Sequence, residues 1–286
     1  MKITQQQQHV LEALAEFKYL TAHQLMGMGI SKNITSLRDK SLSRLERHKK
    51  HFIKSHDFGW IPQRGRLARV YYLTYNGVNI LADILRIEDR AIEYPRGGVQ
   101  YSSDYAHRVN FIDFHIGFKR WAEQQQKDVE FFYSYFDKVG SQRAGKVRST
   151  AKTRVLLKRT VYTQQEDKVF IPDGLTRYQD DDKPRLVAIE IHNGTHSQRI
   201  THQLLEHLEA IEQGLFTGKF KHESANFVLS VHENQSTLDS VKQRLMERPE
   251  FTPFLPLFLF NRQDQVKADF CKGWTLADGG KTALFS

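Results

Sequence analysis

Asp173, Glu190 and His192 are the residues of this chain whose types and spacing could do chemistry. The run Ile171-Pro172-Asp173-Gly174 precedes Val187-Ala188-Ile189-Glu190-Ile191-His192 by one acidic turn, Tyr178 to Pro184. An apolar run ending in Pro-Asp, a turn and a second apolar run predict two β-strands. They would set Asp173 beside Glu190 at one sheet edge. Glu190 and His192 then share a face, because strand side chains alternate with period two. Two carboxylates with a basic or proton-carrying side chain suit a divalent-metal phosphodiesterase. The carboxylates hold Mg²⁺ or Mn²⁺, and the metal polarises the phosphate and activates the nucleophile. Pro-Asp-Gly is equally a turn signal and a strand Glu is usually solvated, so the surroundings must decide.

The chain has 286 residues, enough for two domains or one large one. No apolar run approaches the length of a membrane span, and the first residues lack the apolar core of a secretory signal. Cys271 is the only cysteine. That excludes an intrachain disulfide and a cysteine zinc cluster, and a reducing cytoplasmic setting is expected. The formal charge is +9 and it is unevenly spread. Residues 32–69 hold eleven Lys/Arg against Asp39, Glu46 and Asp57, and residues 138–159 hold eight Lys/Arg and no acid. Two separate basic blocks point to a polyanion, most simply nucleic acid.

The elements that must position these groups fall into two parts, 1–95 and 96–286, divided near Tyr94-Pro95-Arg96-Gly97-Gly98. In the first, Val10, Leu11, Leu14 and Phe17 make a helical stripe over 5–17. Thr21 caps a short helix, and Ser31 or Asn33 caps a third, 34–48, with Ile34, Leu37, Leu42 and Leu45 inward. The outer face of that helix carries Lys32, Arg38, Lys40, Arg44 and Arg47. Two short strands around residues 52–54 and 67–73 flank a basic loop with Arg64, Arg66 and Arg69, and a last helix covers 78–85. Helix, helix, basic helix and hairpin is the winged helix-turn-helix order. The third helix would enter a major groove and the wing would reach phosphates. Protein contacts through a basic three-helix surface are the plainer alternative.

In the second part a helix over 105–123 is followed by a strand at 130–136 and the basic segment with Lys146, Arg148, Lys152 and Arg154. Strands at 154–162, 169–171 and 186–191 come next, then a helix over 197–213, a strand at 227–231 and a helix over 238–247. This describes an α+β or α/β fold on a mixed sheet. His202 and His207, five apart, diverge on their helix and are expected at the surface.

The chain resembles the replication-relaxation family, and within it a relaxase of the MOBC class. The resemblance rests on Tyr72-Leu73-Thr74-x-x-Gly77, Asp104-Tyr105-Ala106-His107-Arg108, Pro172-Asp173-Gly174 and Glu190-Ile191-His192-Asn193-Gly194-Thr195, over roughly residues 8–235. It implies an N-terminal winged helix joined to a restriction-endonuclease-like, PD-(D/E)xK domain. Asp173 and Glu190 would be metal ligands for Mg²⁺ or Mn²⁺. His192 falls where the motif has lysine, so its role as third ligand, base or remnant stays open, with Arg199 or Lys183 as other cations. His107 is a further candidate on the leading helix. A nucleophilic tyrosine, if used, would be Tyr101, Tyr105, Tyr133, Tyr135 or Tyr178. The implied activity is metal-dependent, strand-specific nicking of DNA at a plasmid transfer origin. The winged helix would read duplex, the basic segment would track a locally single strand, and the conjugation machinery would be a partner. The rivals are a non-catalytic plasmid replication or repression factor and a restriction-like enzyme that cuts both strands.

Overall fold

The computed structural model describes residues 2–62, 65–99, 104–139, 150–161, 164–181, 183–220, 227–282 and 285. Arg64, Tyr101, Lys146 and Arg148 lie outside the described residues. The chain packs as two compact units, Met1–Ile116 and Gly117–Ser286, and is a mixed α+β protein.

In the first unit, α1 (Gln5–Phe17) starts from a reciprocal cap. The Thr4 hydroxyl accepts from the Gln7 N–H and the Gln7 side chain accepts from the Thr4 N–H. Val10, Leu11, Leu14 and Phe17 are buried. β1 (Leu20–Thr21) leads into α2 (Ala22–Gly27), where Thr21 and Gln24 repeat the same cap. Next, α3 (Ile34–Ser36), a π-helical turn (Leu37–Leu42) and α4 (Ser43–Arg47) follow without a break. The π turn has a cause in the sequence. The inward Leu37 and Leu42 are five residues apart, a spacing that i→i+5 bonding brings onto one face and i→i+4 bonding does not. Leu37, Leu42 and Leu45 are thereby buried, while Arg38, Lys40, Arg44 and Arg47 stay exposed. Asn33 caps this segment, its side chain accepting from the Ser36 N–H at 2.9 Å. Asn33→Ala should cost about 1 kcal/mol, read as a lower denaturant midpoint at unchanged slope.

The strands that follow in this unit are β2 (Ile53–His56), β3 (Trp60–Ile61), β4 (Gly65–Arg66) and β5 (Val70–Leu73). β1, β5 and β2 form an antiparallel sheet in that order, with Leu20 opposite Tyr71 and Ile53 opposite Leu73. β3 and β4 pair separately, Trp60 opposite Arg66 and Ile61 opposite Gly65. α5 (Tyr75–Leu85) starts from Thr74, whose hydroxyl accepts from the Gly77 N–H. A Cβ at Gly77 would lie 2.0 Å from the Phe52 carbonyl oxygen, so only glycine fits there. α6 (Tyr105–Gln124) begins in this unit. There Arg108 is buried, bonded to Asp104 at 3.0 Å, with its guanidinium 4.3 Å from the Tyr19 ring centre.

The second unit is built on a five-stranded sheet. Its strands are β6 (Val129–Ser134), β11 (Gly174–Asp180), β12 (Lys183–His192), β13 (Phe227–His232) and β14 (Phe258–Arg262), in the spatial order β14-β13-β12-β11-β6. β12, β13 and β14 are parallel, while β11 runs antiparallel to β12 and to β6. The intervening β7 (Lys138–Val139) pairs with β8 (Thr150–Ala151), and β9 (Val155–Val161) with β10 (Gln164–Phe170). α7 (Ser197–Glu212), α8 (Leu215–Phe220) and α9 (Gln235–Met246) join the parallel strands, and α10 (Gln263–Ala268) follows β14. One face of the sheet, with Leu175, Leu186 and Ala188, packs on Ile200, Leu204 and Leu208 of α7 and Val241 of α9. On the other face the Tyr178 ring meets Phe118 and Trp121 of α6. A strand covered on both faces reads as a continuous apolar run, and Leu186 to His192 is buried throughout.

One expectation is corrected here. The strand paired with β12 is β11, and the run around Val169 pairs with β9 instead. The turn is correspondingly shorter, with Asp180 opposite Lys183 and Asp181 at φ 53°. Asp tolerates that left-handed conformation better than most residues, so the acidic stretch needs only its centre to reverse the chain. Tyr178, expected in the turn, is buried in the strand.

Candidate functional site

Gly174 stands opposite Ile189 in the β11–β12 ladder. Asp173, one residue before β11, therefore falls beside Glu190 on the face that also carries Leu175 and Ala188. The two carboxyl groups are in side-chain hydrogen-bond contact. Asp173 Oδ2 accepts from the Ile191 N–H at 2.8 Å. Glu190 is only 3 % exposed, and its Oε1 lies 2.7 Å from Nε2 of His207 on α7. Burial first, and then the Asp173 charge, hold the Glu190 carboxyl well above the usual range, and the Glu206 charge adds to this. Burial drives His207 down to about 3, so the imidazole is neutral near pH 7.

His207 corrects a second expectation: His202 is exposed, but His207 is fully buried. It lies seven residues after Ile200 and three after Leu204, on the buried stripe of α7. That stripe was the signal in the sequence. Phe170 packs edge-on to the same ring at 4.7 Å. Two residues earlier on β10, Lys168 forms an ion pair with Glu206.

His192 is buried on the same strand face as Glu190. Its Nε2 lies 3.1 Å from Ser230 Oγ, which lies 2.8 Å from His232 Nε2. The hydroxyl thus links two imidazoles whose ring centres are 4.8 Å apart, and burial lowers His232 to about 3. Lys183 sits at the turn end of β12, seven residues from Glu190 and so roughly 23 Å away along the strand. Arg199 is exposed on α7. His107 is half-buried in the first unit, whereas the carboxylates belong to the second.

The tyrosines separate by environment. Tyr178 is fully buried on the opposite face of the sheet, and burial raises its hydroxyl well above the usual range. The Tyr105 hydroxyl accepts from the Ala68 N–H. The Tyr133 ring lies under Lys152 Nζ at 4.5 Å. Tyr135 donates its backbone N–H to the Asp173 carbonyl at 2.7 Å, which puts its backbone next to the carboxylate pair.

Among the described residues no group of three or more His, Cys, Asp or Glu side chains is arranged to hold a metal ion. Two adjacent carboxyl groups still match a hard cation such as Mg²⁺, which usually keeps several waters and takes one or two carboxylates. The Ser230 bond occupies His192 Nε2, so the imidazole is less suited to be a third donor through that atom.

The basic surface of the first unit has a different character. Arg66 Nη2 lies 2.6 Å and Arg69 Nε 3.5 Å from Asp57 Oδ2. The Arg66 hydrogen bond is the main cause that lowers Asp57 to about 2. Arg38, Arg44 and Arg47 are exposed on the π-containing helical segment. In the second unit, Lys152 and Arg154 are half-buried, and Lys219 Nζ donates to both their carbonyls, at 2.6 and 2.8 Å.

Fold and site together define a two-unit α+β protein with a carboxylate pair, Glu190 buried and Asp173 half-buried, on the mixed sheet of its second unit. A family model for replication-relaxation proteins matches residues 11–221, and the chain belongs to that family. No curated protein and no solved structure matches the chain. No helix among the described residues is long and apolar enough to cross a membrane.

Proposed function

We propose that this chain is a DNA nickase of the relaxase kind: it binds duplex through its first unit and cuts one strand at a plasmid transfer origin with its second. The observation that carries the reading is the convergence of Asp173 and the buried Glu190 on one face of the β11–β12 hairpin. Proteins do not bury adjacent carboxylates without a counter-charge or a proton. Membership of the replication-relaxation family supports a role on plasmid DNA. The order helix, helix, basic helix and hairpin in the first unit supports a winged helix. A helix, a carboxylate-bearing hairpin and a βαβ crossover in the second support a PD-(D/E)xK-like domain.

In this reading Asp173 and Glu190 hold Mg²⁺ or Mn²⁺. Bound there, the cation would stabilise charge developing on the phosphate oxygens and lower the pKa of an attacking water. The protein's part is orientation. The Ile191 N–H fixes one oxygen of Asp173 and His207 fixes one oxygen of Glu190. Lys168 pairs with Glu206, whose charge acts on Glu190, and in this reading it is a further candidate cation beside Lys183 and Arg199. His192 positions the strand end through Ser230. Conjugation machinery is the expected downstream partner.

A supercoiled plasmid carrying the origin tests the reading in the presence of Mg²⁺ or Mn²⁺. Open circles are expected. Linear product would mean a restriction-like enzyme, and unchanged plasmid a non-catalytic binder. One observation favours that last reading: Glu190 is sealed from solvent and bonded to a neutral histidine.

Arg38→Ala with Arg44→Ala in the full chain should weaken duplex binding. It should also flatten the plot of log affinity against log salt by roughly two units, about one per lost phosphate contact. Fluorescence anisotropy at several salt concentrations measures both.

A further inference from the structure

We infer that Trp60 is a wedge that enters a base step of duplex DNA and unstacks it. The inference rests on the DNA-binding half of the proposed function. Trp60 is 66 % exposed and its neighbour Ile61 42 %. Large apolar side chains in a soluble unit are normally covered, and these two stand on the small β3–β4 ladder, away from the core of their unit.

The backbone beneath them is fixed. Gly59 N–H donates to Asp57 Oδ1 at 2.9 Å, and Leu67 N–H to the Gly59 carbonyl at 3.0 Å. Gly59 and Gly65 turn the chain at φ 79° and 73°, which other residues rarely adopt. The described part of this ladder thus presents the Trp60 ring to solvent.

Charge selects the occupant. Arg66 lies directly across the ladder from Trp60, and Arg69 joins it at Asp57. An exposed indole on a ladder that carries Arg66 opposite it suits a polymer with phosphates outside and flat apolar faces inside. Apolar side chains inserted between base steps unstack and kink duplex DNA at a cost of a few kcal/mol, offset because the bent duplex wraps more of the protein surface. An aromatic ring stacks on any base. A wedge of this kind would supply the locally unpaired strand that a nick needs.

The test uses the full chain, EDTA, and origin duplexes with 2-aminopurine placed at successive positions. Wild type should raise the fluorescence several-fold at one or two adjacent positions. At saturating protein Trp60→Ala should leave it flat, with affinity about 5- to 100-fold lower, and Trp60→Phe should keep part of both. Trp60 is exposed, so neither change threatens the fold. If Trp60→Ala reproduces the wild-type signal and affinity, the wedge is wrong. Wild-type binding with no rise at any position also overturns it, while leaving the DNA reading intact. Wild type that binds no duplex at all, by anisotropy, overturns both.

Discussion

Asp173→Ala and Glu190→Ala should each reduce metal-dependent nicking by at least about a hundredfold while duplex binding survives. The two carboxyl groups share one face and one hydrogen-bond contact, so removing either dismantles the pair. Neither lies in the unit that carries Arg38, Arg44 and the β3–β4 ladder, so affinity for origin duplex should change little. For Asp173→Ala it should rise slightly without metal, because that substitution removes negative charge that repels phosphate. Asp173→Ala also frees the Ile191 N–H, and Asp173→Asn, which keeps an acceptor there, separates loss of charge from loss of the strand end. Open-circle formation with time, beside anisotropy on the same preparations, measures both effects. An alanine variant that nicks at near the wild-type rate would place the chemistry elsewhere.

Glu190→Gln should make the metal-free protein more stable near neutral pH and should abolish nicking. The sign follows from the direction in which Glu190 is displaced. Its folded carboxyl keeps a proton to higher pH than the unfolded one, because of burial and the Asp173 charge. Between the unfolded and folded values the native state therefore binds more protons, and stability falls as pH rises. Below about pH 4.5 this loss is absent. The loss grows with each pH unit crossed inside that window. Glutamine has nearly the same shape, can still bond His207, and does not titrate, so the loss disappears. Urea melts in EDTA at pH 4.5 and pH 7 should give equal midpoints at the lower pH and a higher midpoint for Glu190→Gln at the higher. Equal stability at both would mean that the Glu190 charge is well compensated. Divalent cation should in turn stabilise wild type and leave Glu190→Gln nearly unmoved.

Local periodicity carried much of the fold into view. The stripe Val10, Leu11, Leu14 and Phe17, the Thr21 cap and the helix opening at Ser197 are set by residues within a turn or two of one another. Choice of strand partner was not legible, because it depends on contacts distant in sequence. The run around Val169 has the composition to pair with β12, yet β9 takes it, and β11 hid behind polar residues such as Thr176, Arg177 and Gln179. The five-residue step from Leu37 to Leu42 was in plain sight, but a helical reading based on steps of three and four passes over it. At the candidate site, alternation placed Glu190 and His192 on one face. The cross-element bonds were hidden: His207 to Glu190, Ser230 between two histidines, and Lys168 to Glu206. None of these follows from spacing along one strand.

Under the DNA-binding reading, Asp57, paired with Arg66 on β4, governs how binding responds to ionic strength. Asp57 is a built-in counterion for Arg66 and Arg69. When a phosphate takes its place, one fixed anion is exchanged for another, and fewer mobile ions are released than two bare guanidinium groups would predict. Under the DNA-binding reading, the wing would then add specificity of position while contributing little to the salt slope, which would come mainly from the helix that carries Arg38, Arg44 and Arg47. Asp57→Asn would make the wing an ordinary salt-sensitive cation patch, tighter on any duplex and less selective among them.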